Sequence, residues 1–175
     1  MATRNRLFSF IRILVLLTLM ISCDRRGTEP SLAPLSADDI DGERLWERIT
    51  VESDFQDYAQ WPTHDGMRPG QSPHGVWHTV YGNNTLFEAL PAVNAEAPDG
   101  AIIVKENFDA DKVLRSITVM AKVSEWDEAN GDWFWASYGP DGTINAEGSL
   151  GGCISCHEGM KDNDYVIISP LDEKP

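Results

Sequence analysis

Positive charge is scarce in this chain: 14 lysines and arginines stand against 28 aspartates and glutamates, for a formal net charge of -14. Three of the basic residues, Arg4, Arg6 and Arg12, lie in an N-terminal stretch read below as an export signal, which leaves 11 against 28. So acidic a surface repels phosphate backbones and anionic headgroups, which excludes nucleic acid as a partner and leaves the membrane reachable only through an anchor. Long hydrophobic runs are lacking as well. The longest, counted from Leu7, covers about 15 residues, short of the roughly 20 that cross a bilayer core as a helix. There is no internal repeat and no low-complexity tract, and 175 residues make one domain the expectation. Cysteines number only three and histidines four, so a pattern that gathers them carries information.

The first 22 residues combine a basic start, an apolar run over 11–21 interrupted by Arg12 and Thr18, and a small residue, Ser22, before Cys23. This is the build of an export signal. Leu19-Met20-Ile21-Ser22-Cys23 also resembles a bacterial lipobox, with Met20 where Leu is usual; the resemblance implies lipidation of Cys23 and a protein anchored to a membrane from the periplasm. A cleaved signal with an incidental cysteine is the alternative. If Cys23 is lipidated, Asp24 after it resembles the signal that retains enterobacterial lipoproteins at the inner membrane. Residues 23–37 carry Gly27, Pro30, Ser31, Pro34 and Ser36 with little periodicity and read as a flexible tether, leaving 38–175 as the folded domain.

Ser36 and Asp39 have capping spacing, and Leu45, Trp46 and Ile49 then share one face of a helix predicted to run to about Thr50. Phe55, Tyr58 and Ala59 predict a second short helix, and residues 62–75 a long loop. Beyond that the period becomes two. Runs at 76–81, 101–106, 115–123, 132–138 and 165–168 are β-branched or aromatic, and Asn83-Asn84, Pro98-Asp99-Gly100, Asn130-Gly131 and Pro140-Asp141-Gly142 separate them with turn chemistry. The expected fold class is α+β: a mainly antiparallel sheet with N-terminal helices and a C-terminal cofactor-binding loop or helix.

That cofactor is indicated by Cys153-Ile154-Ser155-Cys156-His157. In an exported chain with so few cysteines and histidines the pattern arises by chance about once in a thousand sequences, and it is the signature of covalent c-type haem attachment. The spacing suits the chemistry: two thiols reach the two vinyl groups on one side of the macrocycle while the adjacent imidazole turns onto the iron. Gly148, Gly151 and Gly152 would let the backbone approach the porphyrin. Three other readings stay open. A redox dithiol prefers a helix start in a βαβ unit, a structural zinc needs further ligands such as His74 and His78, and a disulfide is the plain choice in an exported protein. Only Met160 follows His157, too near to cross the ring, so a sixth iron ligand comes from upstream or is absent.

The order of His74-Gly75, Val80-Tyr81, Pro98-Asp99-Gly100-Ala101-Ile102-Ile103-Val104-Lys105-Glu106, Met120-Ala121-Lys122, Gly131-Asp132-Trp133, the haem motif and Asp164-Tyr165-Val166 resembles the cytochrome P-460 domain, shared by cytochrome P-460 and cytochrome c′-beta. The resemblance covers roughly residues 74–168. It implies one covalent haem c, a homodimer, a sheet sheltering the distal haem face, and an iron held by His157 alone with the distal site open. It also implies that Lys105 stands where cytochrome P-460 cross-links a lysine to the porphyrin edge and oxidises hydroxylamine, whereas the cytochrome c′-beta branch binds nitric oxide or carbon monoxide without turnover. Alternation adds that Lys105 shares a strand face with Ala101 and Ile103, so it faces the core if Ile103 does.

Other residues are weaker candidates. His74 and His78 read as structural hydrogen-bonding groups near a loop, His64 as a loop residue, Met67 and Met120 as core filling with the alternative of iron ligation, and Glu106 and Glu158 as conceivable proton relays. Trp133, Phe134, Trp135 and Tyr138 wall a pocket or the core. Three functions compete: an enzyme acting on hydroxylamine or nitric oxide, a gas-binding protein, and an electron carrier with a sixth ligand. Each requires a redox partner protein in some form, and an acidic surface suits a basic one.

Overall fold

The computed structural model describes residues 32–173, so Cys23 and the expected signal lie outside the described residues. Helix α1 (Gly42–Glu47) begins where Asp41, in extended conformation, accepts the Arg44 N–H at 2.7 Å. Ser36 and Asp39 pair as expected, at 3.2 Å, yet they close a separate turn, and the helix starts later because Asp41 is the residue that caps its first amides. Past Glu47 the helix widens into π geometry over Arg48–Glu52. Thr50 Oγ1 bonds back to the Trp46 carbonyl at 2.7 Å, an insertion that loosens the ladder. The predicted apolar face holds: Leu45 and Ile49 are fully buried and the Trp46 ring packs 4.7 Å from Tyr138. Each such aliphatic burial stabilises the fold by about 1.5–3 kcal/mol. Leu35, expected in the tether, joins the same core, and Arg48 Nη1 donates to the Ala33 carbonyl, so the folded unit takes in the last tether residues.

The second predicted helix is one 3₁₀ turn, Phe55–Asp57, capped by Asp54. Tyr58 is extended, which ends the turn and sends Ala59–Gln60 into a short strand, β1. The expected long loop is interrupted by β2 (Arg68–Pro69). The main strands are β3 (Trp77–Gly82), β4 (Ile102–Phe108), β5 (Leu114–Lys122), β6 (Trp133–Tyr138) and β7 (Ile144–Gly148). All pairings are antiparallel in one seven-stranded sheet, ordered β1-β3-β4-β5-β6-β7 with β2 also on β3. The α+β class dominated by sheet is therefore the observed one. Asn83 does not turn a hairpin; its side chain accepts from Leu86 N and caps α2 (Asn84–Glu88). Residues 165–168 are not a strand, because Asp164 and Tyr165 adopt positive φ of 50° and 62° and bend the chain across the sheet.

The sheet has two apolar faces. One, with Ile102, Val104, Val119, Phe134 and Tyr138, packs against α1 and Phe55; the other, with Val80, Ile103, Met120, Trp133 and Trp135, packs against α2, the C-terminal segment and α3 (Gly151–His157). In β4 the alternation holds up to Glu106, so even-numbered residues there face α1 and odd-numbered ones face α3, and the register shifts between Asn107 and Phe108.

Candidate functional site

Register sets the floor of the site. Val80, Lys105 and Thr118 lie side by side across β3, β4 and β5, and Met120 pairs with both Ile103 and Trp135 across β4, β5 and β6. Over this floor lies a cavity of about 420 Å³, within the range of small-ligand and cofactor sites. Its apolar walls are Val80, Ile103, Met120, Trp135 and Val166, and its polar groups include His64, His74, His78 and Lys105. Cys153, Cys156 and His157 close it from α3. None of the residues lining it is acidic, in a chain with twice as many acids as bases.

The four residues singled out from sequence for the cofactor, Lys105, Cys153, Cys156 and His157, thus converge on one cavity although Lys105 is remote from the other three in the chain. The motif expected in a loop or helix is helical. One turn of helix separates the two cysteines and places both thiols on the cavity side, half-buried at Cys153 and exposed at Cys156, both unpaired. Among the described residues no three of histidine, cysteine, aspartate and glutamate converge on a common metal position, which counts against the zinc alternative.

His157 is oriented from behind. Its Nδ1 lies 2.8 Å from the Tyr165 carbonyl, which accepts only from a protonated Nδ1; Nε2 is left free for the cavity. The carbonyl is held in turn. Asp164, next to Tyr165, receives Lys122 Nζ at 2.8 Å on both carboxylate oxygens and the Ala97 N–H at 2.9 Å, while Trp133 Nε1 donates to its backbone carbonyl at 2.9 Å. This is the reason for the bend at residues 164 and 165, and no sequence period announces it. The Trp135 ring packs 4.9 Å from the His157 ring.

Electrostatics keep the histidines neutral. Burial, aided by the Lys105 charge, holds His74 and His78 down at about 4, and burial with Lys105 also lowers His157. Burial lowers Lys105 too, and among the described residues no ion pair or hydrogen bond is made by its ammonium. A half-buried cation without a partner is costly, the usual mark of a functional rather than a structural lysine. Two further polar atoms on the cavity wall, His78 Nδ1 and Trp135 Nε1, are buried without partners.

Several expectations change. Glu106 lies on the opposite face, buried and accepting from Tyr81 Oη at 3.0 Å, and Glu158 is exposed beyond α3, so neither faces the cavity. Met120 lines the cavity from the floor while Met67 does not line it. His78 is in β3, and His74 is in the loop between β2 and β3. Sequence reasoning treated both as structural, and only their place in the His74-Gly75 motif hinted otherwise. Aromatic β6 divides as its alternation requires, Trp133 and Trp135 to the cavity side and Phe134 and Tyr138 to the α1 side.

The arrangement meets what a covalently held macrocycle demands: two thiols and one oriented imidazole on a single helix turn, apolar walls for the ring, and unpartnered donors and a cation within. A family model described as Cytochrome P460 matches residues 55–168. No curated protein matches the chain.

Proposed function

Because the chain belongs to the cytochrome P460 family and is therefore a haem cytochrome, we propose that it is a periplasmic mono-haem c-type member that oxidises hydroxylamine or nitric oxide at an open distal site. In this reading Cys153 and Cys156 bond the vinyl groups of a single haem c, His157 Nε2 takes the iron, and Cys23 carries the lipid anchor. The observation that carries it is the meeting, across one cavity, of the Cys153–His157 turn and a Lys105 whose ammonium has no partner among the described residues. The haem supplies a redox-active iron. Residues of the chain supply the rest.

Tyr165 holds the His157 tautomer, Val80, Ile103 and Trp135 exclude water from the ring, and Lys105 reaches the site from the odd face of β4. Oxidising hydroxylamine releases protons as well as electrons. His78, with its orphaned Nδ1, and His74 line the way out, and their low pKa suits handing a proton on to solvent water, not keeping it. Electrons pass to a redox partner for which the acidic surface is suited, and a homodimer is the assembly in keeping with this reading. A second reading, gas binding without turnover as in cytochrome c′-beta, is favoured by the absence of any carboxylate on the cavity wall.

The test is the absorption spectrum of protein matured with covalent haem, beside Lys105→Ala. Haem that survives denaturation and is lost on replacing both Cys153 and Cys156 supports the attachment. A red-shifted ferrous Soret band abolished in Lys105→Ala, together with hydroxylamine-dependent reduction of an added electron acceptor, supports the enzyme. An unshifted spectrum indifferent to the substitution, without turnover, replaces it with gas binding.

A further inference from the structure

Positive charge gathers at the end of the cavity away from the cysteines. Helix α3 stands over β6, where Trp135 packs against His157, and the sheet order then runs through β5, β4 and β3 to β2. At about 4.8 Å per strand step, β2 lies about 19 Å from β6. Arg68 of β2 pairs with His78 of β3, which puts its side chain on the cavity face, and His64 lines the cavity wall. Burial, then the charges of Arg68 and Lys105, lower the His64 pKa, so the three share one electropositive neighbourhood. Thr63 Oγ1 lies 3.0 Å from His64 Nδ1; with the hydroxyl donating there, the ring proton sits on Nε2.

Most other cations of the described residues are engaged. Arg44 and Arg48 pair with Glu52, Arg115 with Asp109 and Lys122 with Asp164, while Lys112 lies 5.0 Å over the Trp77 ring. Arg68, Lys105 and Lys161 make no ion pair among the described residues. Lys161 follows α3, on the thiol side, and Lys105 stands on β4, two strands nearer α3 than Arg68. Arg68 is therefore the free cation of the far end. A macrocycle tethered through its vinyl groups at Cys153 and Cys156 turns its opposite edge, which bears two propionate carboxylates, away from α3. In a chain of net charge -14 those carboxylates need a cation and a donor where they come to rest.

We propose that Arg68 and His64 form a carboxylate-binding rim that holds the haem propionates, with Arg68 as the cation and His64 Nε2 as a hydrogen-bond donor. The inference deepens the preceding reading and rests on it, and it leaves the distal site open. The planar fork of Arg68 matches a carboxylate with two parallel N–H groups, and because the residue is exposed its remaining N–H groups keep their water.

The experiment measures the reduction potential at pH 7 and the propionate bending band in resonance Raman spectra of the full haem-loaded chain. Wild type is compared with Arg68→Gln, Arg68→Lys and His64→Gln, and with Arg115→Gln as another exposed cation of the sheet. Arg68→Gln should lower the potential, since a lost cation favours the ferric state, and shift the propionate band, with covalent haem content unchanged. Arg68→Lys should restore the potential, His64→Gln should shift the band with a smaller change in potential, and Arg115→Gln should move neither. A potential and band unmoved in Arg68→Gln, or moved as far in Arg115→Gln, overturns the rim while leaving haem attachment intact. Should Arg68→Gln misfold, an unmoved band in His64→Gln overturns the rim by itself. A chain without covalent haem overturns the attachment and the rim with it.

Discussion

Asp164 does more for the site than a residue outside the cavity would suggest. Its carboxylate is buried, and burial pushes its pKa up against the pull of Lys122. Removing one member of such a pair leaves the other charge buried and uncompensated. Asp164→Ala should therefore lower unfolding free energy by about 3–5 kcal/mol in urea titrations, and Lys122→Met on top of it should recover part of the loss. At Lys105 the opposite holds. With no partner to lose among the described residues, Lys105→Met should leave the haem-free chain as stable as wild type or more so, measured by the same titration.

Among elements, the β2–β3 loop depends on close backbone approaches at Gly70 and Gly75. Gly75 has φ of +76°, and a Cβ there would collide with the Phe108 carbonyl. Gly75→Ala should cost about 1–3 kcal/mol in thermal or urea unfolding. Elements of this kind mark the limit of what the sequence disclosed. The four central strands were legible because Val80, Ile103, Val119 and Trp135 alternate with residues of the other face. Strand β7 was not, because Ile144, Asn145 and Glu147 are exposed and carry no burial signal. Residues 165–168 deceived for the opposite reason: Tyr165 and Val166 are buried like strand residues, but the hydrogen bonds of Asp164 bend their backbone. The haem motif is local and readable; the convergence of His64, His74 and Lys105 upon it depends on long-range register and on a loop crossing that no local period encodes.

For the whole molecule, the half-buried histidines contribute to acid stability. His74 and His78 titrate near 4 in the fold against about 6.5 in an unfolded chain, so between those values the unfolded chain binds more protons. Their contribution is complete above pH 6.5 and is lost as pH falls towards 4. Glu106 and Asp164, whose pKa values burial raises, act in the opposite sense, so the difference from a variant isolates the effect. The melting temperature of wild type should fall more steeply between pH 6.5 and 4 than that of His78→Gln.

The sheet also partitions the molecule. In β4 one residue in two serves α1 and its neighbour serves the cavity. Mutational histories of the two faces can therefore diverge: exchanges at positions 103, 105, 118 and 120 retune what the cavity admits, while Ile102, Val104 and Ala121, one step away in sequence, keep the scaffold standing. One backbone can in this way host turnover in one descendant and mere capture of a gas in another.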